Sequence, residues 1–142
     1  MKHSMKLYFF ILISIAFNTL LNAQEGNIND DDFIWTPLQV KASAYNSLEN
    51  QTVGNPSIGA WGDSLQPGMK AIAISRDLLK LGITQNTPIK IEGFDGIYFV
   101  KDKMNARFHK KIDIYMGIEL QKARKFGVKH LKIWYGLPNT SP

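Results

Sequence analysis

Cysteine is absent from the 142-residue sequence. That absence excludes disulfide bridges, thiolate metal sites and lipid attachment through an amino-terminal cysteine, so folding must rest on apolar burial and backbone pairing. Long hydrophobic runs are missing as well: the most apolar stretch, Leu7 to Ala16, falls short of the ~20 residues a membrane-spanning helix needs. The chain carries no phosphate-binding glycine loop, dinucleotide fingerprint or nucleophile elbow. His109 and His130 stand at no metal-ligand spacing with another histidine or a carboxylate cluster, so neither a metal nor a cofactor is expected. There is no internal repeat and no low-complexity tract.

What is present begins with a secretory pattern. Lys2 and Lys6 precede the apolar core, and the small residue Ala23 precedes polar sequence, the order of a signal peptide over residues 1–23. An uncleaved amino-terminal anchor is the alternative, because Leu21 is bulkier than the residue favoured two places before a cleavage site. Cleavage leaves one domain with one core. The net charge falls from +5 to +3 with the loss of Lys2 and Lys6. Lys101 to Lys132 hold ten Lys or Arg against Asp102, Asp113 and Glu119, whereas Asp30, Asp31 and Asp32 cluster near the start. A basic surface suits nucleic acid, anionic lipid or an acidic polymer, or it is a solvated face that aids solubility. Export makes nucleic acid the poorest fit and peptidoglycan, with its peptide carboxylates, the natural anionic partner. Free periplasmic and peripherally membrane-associated forms both fit, and the pattern specifies no oligomeric state.

Residues 24–35 read as a flexible acidic leader and 138–142 as a loose tail, with the folded domain over 36–137. Period-two alternation or short apolar runs predict strands at LQVKASAY (38–45), AIAIS (71–75), PIKIE (88–92), IYFVK (97–101), IDIY (112–115) and HLKIWY (130–135). Residues 46–69, rich in Gly, Pro, Asn and Ser, form a long loop of a kind that tends to carry function. Arg76 to Lys80 make about one helical turn before Gly82. In GIELQKARKFG, Ile118, Leu120, Ala123 and Phe126 are expected on one buried side of a helix closed by Gly127. Six strands and one small helix predict a mainly β fold, a closed barrel without exposed sheet edges.

Segments 71–135 resemble the three-aspartate (3D) domain of peptidoglycan-active proteins. That family shares a six-stranded double-psi β-barrel with rare lipoprotein A, expansins and membrane-bound lytic transglycosylase A. AIAISRDLLKLG, PIKIEG, IYFVKD, KIDIYMG, ELQKARKFG and HLKIWY follow the order of the family's segments, and KASAYNS resembles its first strand. Asp102 and Asp113 keep the eleven-residue separation of the last two aspartates in the transglycosylase relatives. The resemblance implies a groove for peptidoglycan glycan strands and cleavage of O-glycosyl bonds without water. Asp113 would protonate the leaving oxygen and then take the proton of the sugar's own 6-hydroxyl, while Asp102 would orient it or tune its pKa. The ordinary structural reading is that Asp102 ends a strand and that Asp113 hydrogen-bonds nearby backbone.

Two departures favour the alternative, a glycan-binding module of expansin type without catalysis. Ser75 stands where the family has its first aspartate, with Asp77 two residues on. The usual glycine-rich loop is DKMNARFHKK, without glycine, so Arg107, His109, Lys110 and Lys111 bring bulk and positive charge. A third reading is an envelope interaction protein whose groove is vestigial. Tyr45, Trp61 and Tyr98 offer ring faces to sugars or, equally, to the core; Trp61 is the best placed. Asp63 shapes the groove or a turn, and Trp134 in the closing strand is expected in the core.

Overall fold

The computed structural model describes residues 28–47 and 58–140. The signal segment 1–23, the first residues of the leader and positions 48–57 of the long loop lie outside the described residues. Residues 28–32 form a separate unit with a 3-10 turn at Asp30–Asp32, in which the Asp32 amide donates to the Asn29 carbonyl at 3.1 Å.

Six strands follow: β1 Phe33–Tyr45, β2 Ala71–Ile74, β3 Pro88–Ile91, β4 Tyr98–Lys103, β5 Lys111–Tyr115 and β6 Lys129–Pro138. One helix, α1 Leu120–Phe126, precedes β6. The strands close into a barrel in the order β1-β5-β2-β4-β3-β6. The pairs β1·β5 and β2·β4 are parallel, and the other four are antiparallel. Exchanging β1, β2 and β3 with β4, β5 and β6 leaves every pair and its direction unchanged. The barrel therefore has a pseudo-twofold axis passing through β2·β5 on one wall and β3·β6 on the other. The fold is mainly β, a closed six-stranded barrel with one short helix, and its two crossed parallel pairs make the double-psi arrangement.

Alternation builds the core. Ile112 and Ile114 of β5, Ile72 and Ile74 of β2, Ile89 and Ile91 of β3, Val100 of β4, Ile133 of β6 and Val40 of β1 fill the interior, each 3 % exposed or less. β-branched side chains suit this role because they are stiff and pack well on a pleated surface. A smaller cluster of Leu65, Ala71 and Tyr115, with Tyr45 and Met69 against it, covers the outside of β2 and β5.

Several boundaries differ from the sequence reading. β1 starts at Phe33 and pairs with β6 from Phe33↔Pro138 onward, so the strands take in the last residues assigned to the leader and the first of the tail. Pro37 is tolerated because β5 does not reach it: β1·β5 pairing begins at Lys41. Trp134 is half-buried on the outer face, because Ile133 and Tyr135 take the inward positions of β6. Ile118 precedes α1 and is 62 % exposed, while Ala123 is buried and Phe126 packs against Phe94 at 6.0 Å. Gly127, at φ 66°, ends the helix as expected.

Candidate functional site

The outward side chains of four neighbouring strands form one row. Asp113 of β5 lies opposite Ser43 of β1 on one side and Ala73 of β2 on the other. Ala73 in turn lies opposite Asp102 of β4. The row Ser43–Asp113–Ala73–Asp102 is symmetric about the barrel's pseudo-twofold axis. Two inter-strand spacings separate the acidic residues, about 10 Å between their Cα atoms. Ala73, 5 % exposed, contributes only a methyl group between them.

A bulge decides that Asp102 joins this row. β2·β4 pairing runs Ala71↔Phe99 and Ile72↔Val100, then jumps to Ala73↔Asp102, leaving Lys101 unmatched. Strict alternation would send Asp102 inward with Val100. The extra residue reverses that and turns the carboxylate out beside Asp113. The loop before β2 braces the bulge. Gly59 lies so close to the Lys101 carbonyl that a Cβ would overlap it, and the Ala60 amide donates to Asp102 Oδ1 at 2.7 Å. The Lys103 amide donates to the same oxygen at 2.8 Å.

Asp113 is half-buried, and Ser43 Oγ donates to its Oδ1 at 2.9 Å. Burial pushes its pKa above the usual aspartate value; the Ser43 hydroxyl and the Lys111 charge pull it back, and the Asp102 charge adds to the rise. Tyr45 ends β1 with its ring 5.4 Å from that of Tyr115. Its hydroxyl is buried and has no hydrogen-bond partner among the described residues. Burial, then the charges of Asp102 and Asp113, push the phenol far upward, so it stays protonated and available as a donor.

The other expected site residues divide. Trp61 is half-buried next to Ala60, with Lys103 Nζ 4.7 Å from its ring centroid, so it borders Asp102 without presenting a free platform. Asp63 accepts from Gln85 Nε2 at 2.7 Å and pairs with Lys101 at 3.4 Å, which ties the loop to the bulge. Arg107 and His109 are exposed in the loop after β4, where Arg107 lies 4.8 Å over the Phe108 ring. The charge of His109 acts on Asp77. Ser75 is fully buried, opposite Lys111, and accepts from its amide at 2.9 Å, two residues along β2 from the row. Asp77 accepts from the Lys110 amide at 2.9 Å. Burial raises its pKa, but the Ser75 hydroxyl, backbone amides and His109 outweigh it and leave the pKa lowered. Asp77 thus holds the loop and stands outside the row. Lys110 meets a left-handed backbone (φ 48°) without glycine.

Ser43, Ala73 and Tyr115 were not singled out from the sequence. Ser43 carried one signal, a polar residue between Ala42 and Ala44 in a strand. Among the described residues no group of three or more His, Asp or Glu could hold a metal ion.

Removing the Ser43 hydroxyl tests the electrostatics. Ser43→Ala strips a donor from a partly buried carboxylate, which raises the Asp113 pKa further and costs about 1.5–3 kcal/mol when the group is ionised. An aspartate with a raised pKa holds its proton more tightly folded than unfolded. Its contribution to stability is therefore full below the unfolded value and is lost as pH rises through the folded one. Urea unfolding at pH 4 and pH 7 should show a larger loss for Ser43→Ala at pH 7.

No family model matches the chain, and no curated protein does. Among solved structures it is similar to the apo expansin of Clavibacter michiganensis, at 15 % identity and a TM-score of 0.49, covering 75 % of this chain and 54 % of that one. It is also similar to a point mutant of the same expansin in complex with cellohexaose, at 14 % identity and a TM-score of 0.47, covering 75 % of this chain and 53 % of that one. The chain thus spans about half the length of the expansins it matches.

Proposed function

We propose that this chain is an exported polysaccharide-binding barrel that holds peptidoglycan glycan strands across the Ser43–Asp113–Ala73–Asp102 row. The observation that carries the reading is the row itself: two outward carboxylates flank a methyl-sized floor. Sugars are recognised by directional hydrogen bonds from a few fixed polar groups against apolar surface. Asp102, held by two backbone amides, accepts from sugar hydroxyls in a set orientation. Asp113 accepts or donates according to its protonation. Export is part of the same proposal and is supported by the order of charge, apolar core and small residue in 1–23.

A second reading, transglycosylase-type cleavage, is favoured by the upward-shifted pKa of Asp113. A carboxyl with a raised pKa gives up its proton at higher pH than an ordinary aspartate, which suits it to protonate a leaving oxygen and then, as carboxylate, to remove the 6-hydroxyl proton. Against it stand Ser75 and Ala73, neither able to supply the family's third carboxylate, and the crowded loop 103–111.

Co-sedimentation with purified sacculi, followed by mass analysis for anhydro-sugar products, tests both. The binding reading expects wild-type protein to sediment with sacculi and release no product. Asp113→Asn should keep most of the binding, and Asp113→Ala should weaken it by about tenfold. Anhydro products from wild type that vanish in Asp113→Asn would establish cleavage instead. Failure to sediment at all would refute the glycan reading.

A further inference from the structure

A cavity of about 610 Å³ opens beyond the end of β5, outside the carboxylate row. Lys70, Phe94, Asp95, Tyr98, Glu119 and Lys122 line it, and neither Asp102 nor Asp113 does. Its size is that of a site for a small ligand. Tyr115 belongs to its wall and lies two residues along β5 from Asp113, about 7 Å, so the cavity opens to one side of the row.

The lining is built for a ligand with both charges and some apolar surface. Phe94 and Tyr98 meet edge to face at 5.9 Å and form one apolar corner. The charges of Lys70 and Lys122 both reach the Tyr98 hydroxyl, as does that of Asp95. Lys122 also pairs with Glu119 at 3.1 Å. Two glycines set the frame. The Lys70 side chain lies close over Gly96, where a Cβ would oblige the flexible ammonium end to shift. Gly117, at φ 59°, packs against Pro67 and Gly68 across the rim, and its carbonyl accepts from the Ser47 amide at 2.8 Å. Ser47 Oγ lies 3.0 Å from the Tyr115 hydroxyl, which couples the rim to the end of β1 and hence to Tyr45.

We infer that this cavity is a second subsite, which receives the peptide branch of the glycan strand: a short chain bearing both amine and carboxylate groups. The inference rests on the glycan-binding reading and specifies its substrate as peptide-bearing rather than stripped strands. The two acids of the row repel the carboxylates of a branch, whereas the cavity offers Lys70 and Lys122 to its carboxylates and Asp95 and Glu119 to its amine. A sugar on the row thus directs its branch past Tyr115 into the cavity.

The test uses the full chain and three probes: glycan strands carrying tripeptide branches, the same strands stripped by an amidase, and the free tripeptide. Wild-type protein should bind branched strands about tenfold more tightly than stripped ones, because a tethered second contact adds avidity. A Lys70→Gln/Lys122→Gln double variant should lose that preference while binding stripped strands as wild type does. Free tripeptide should shift the amide resonances of Tyr98 and Gly117 and leave that of Asp113 in place. Equal wild-type binding of both strands, or a preference that survives the double variant, would overturn this inference alone. Failure of both strands to bind would overturn the glycan reading and this inference together.

Discussion

Gly59→Ala is expected to destabilise the domain by about 3 kcal/mol and to release Asp102 from its fixed orientation. The new Cβ would overlap the backbone carbonyl of Lys101, an atom at the bulge that cannot swing away as a side-chain end could. Relief requires the loop from Gly59 to Asp63 to move off β4. That movement breaks the Ala60 amide's bond to Asp102 and strains the Asp63–Lys101 pair. Overpacking costs about 1–3 kcal/mol, and a lost hydrogen bond to a charged acceptor about 1.5–3 kcal/mol. For a domain of this size the midpoint of thermal unfolding should fall by roughly 12 °C or more. Sacculus binding should weaken even at temperatures where the variant is folded. A variant with wild-type melting and binding would show that the loop is not what holds the bulge.

Ile112→Ala is expected to have an effect of similar size from inside the barrel. Ile112 is fully buried, paired with Ala42 of β1 and Ile74 of β2 at the seam where the parallel and antiparallel pairs meet. Truncation removes three carbons from a closed interior that cannot collapse around the hole, at a cost of about 3–4 kcal/mol. Ile118→Ala is the contrast. That side chain is 62 % exposed, and its loss should move stability by less than about 0.5 kcal/mol. Calorimetry on the pair checks both values. Equal effects would mean that Ile118 has a buried role or that Ile112 has none.

The two substitutions also mark how far local pattern reaches. All six strands and the helix follow from alternation and glycine placement, because a residue's facing along a strand or helix is a local property of the backbone. Ile112 inward and Asp113 outward are legible in KIDIY. Ile118 was not, because the buried helical face was extended one turn too far toward the amino terminus, into a segment that is not helical. Trp134 failed for a different reason. An aromatic residue in an apolar strand suggests the core, yet period two in HLKIWY places Ile133 and Tyr135 inside and therefore Trp134 outside. In this strand the alternation, not the residue type, decides which side chains face inward.

The candidate site was only half legible. The spacing of Asp102 and Asp113 pointed to a shared role through resemblance, not through any pattern within the chain. Asp63, Arg107 and His109 had side chains suited to a groove, but their partners divert them: Asp63 to Gln85 and Lys101, His109 toward Asp77. Such partners lie tens of residues away and leave no trace in the local sequence. Ser43 was overlooked because its partner Asp113 lies 70 residues on, in a strand that runs parallel to its own.

By itself, then, the sequence determined which segments become strands, which of their side chains are apolar enough to fill a barrel, and that no cysteine can help hold it. Only the tertiary structure decided that Asp102 faces the same way as Asp113. Its direction depends on the one-residue slip at Lys101, and a slip exists only relative to a partner strand. The same holds for the row as a whole, since closing the barrel is what brings β1, β5, β2 and β4 side by side and turns four scattered residues into one surface.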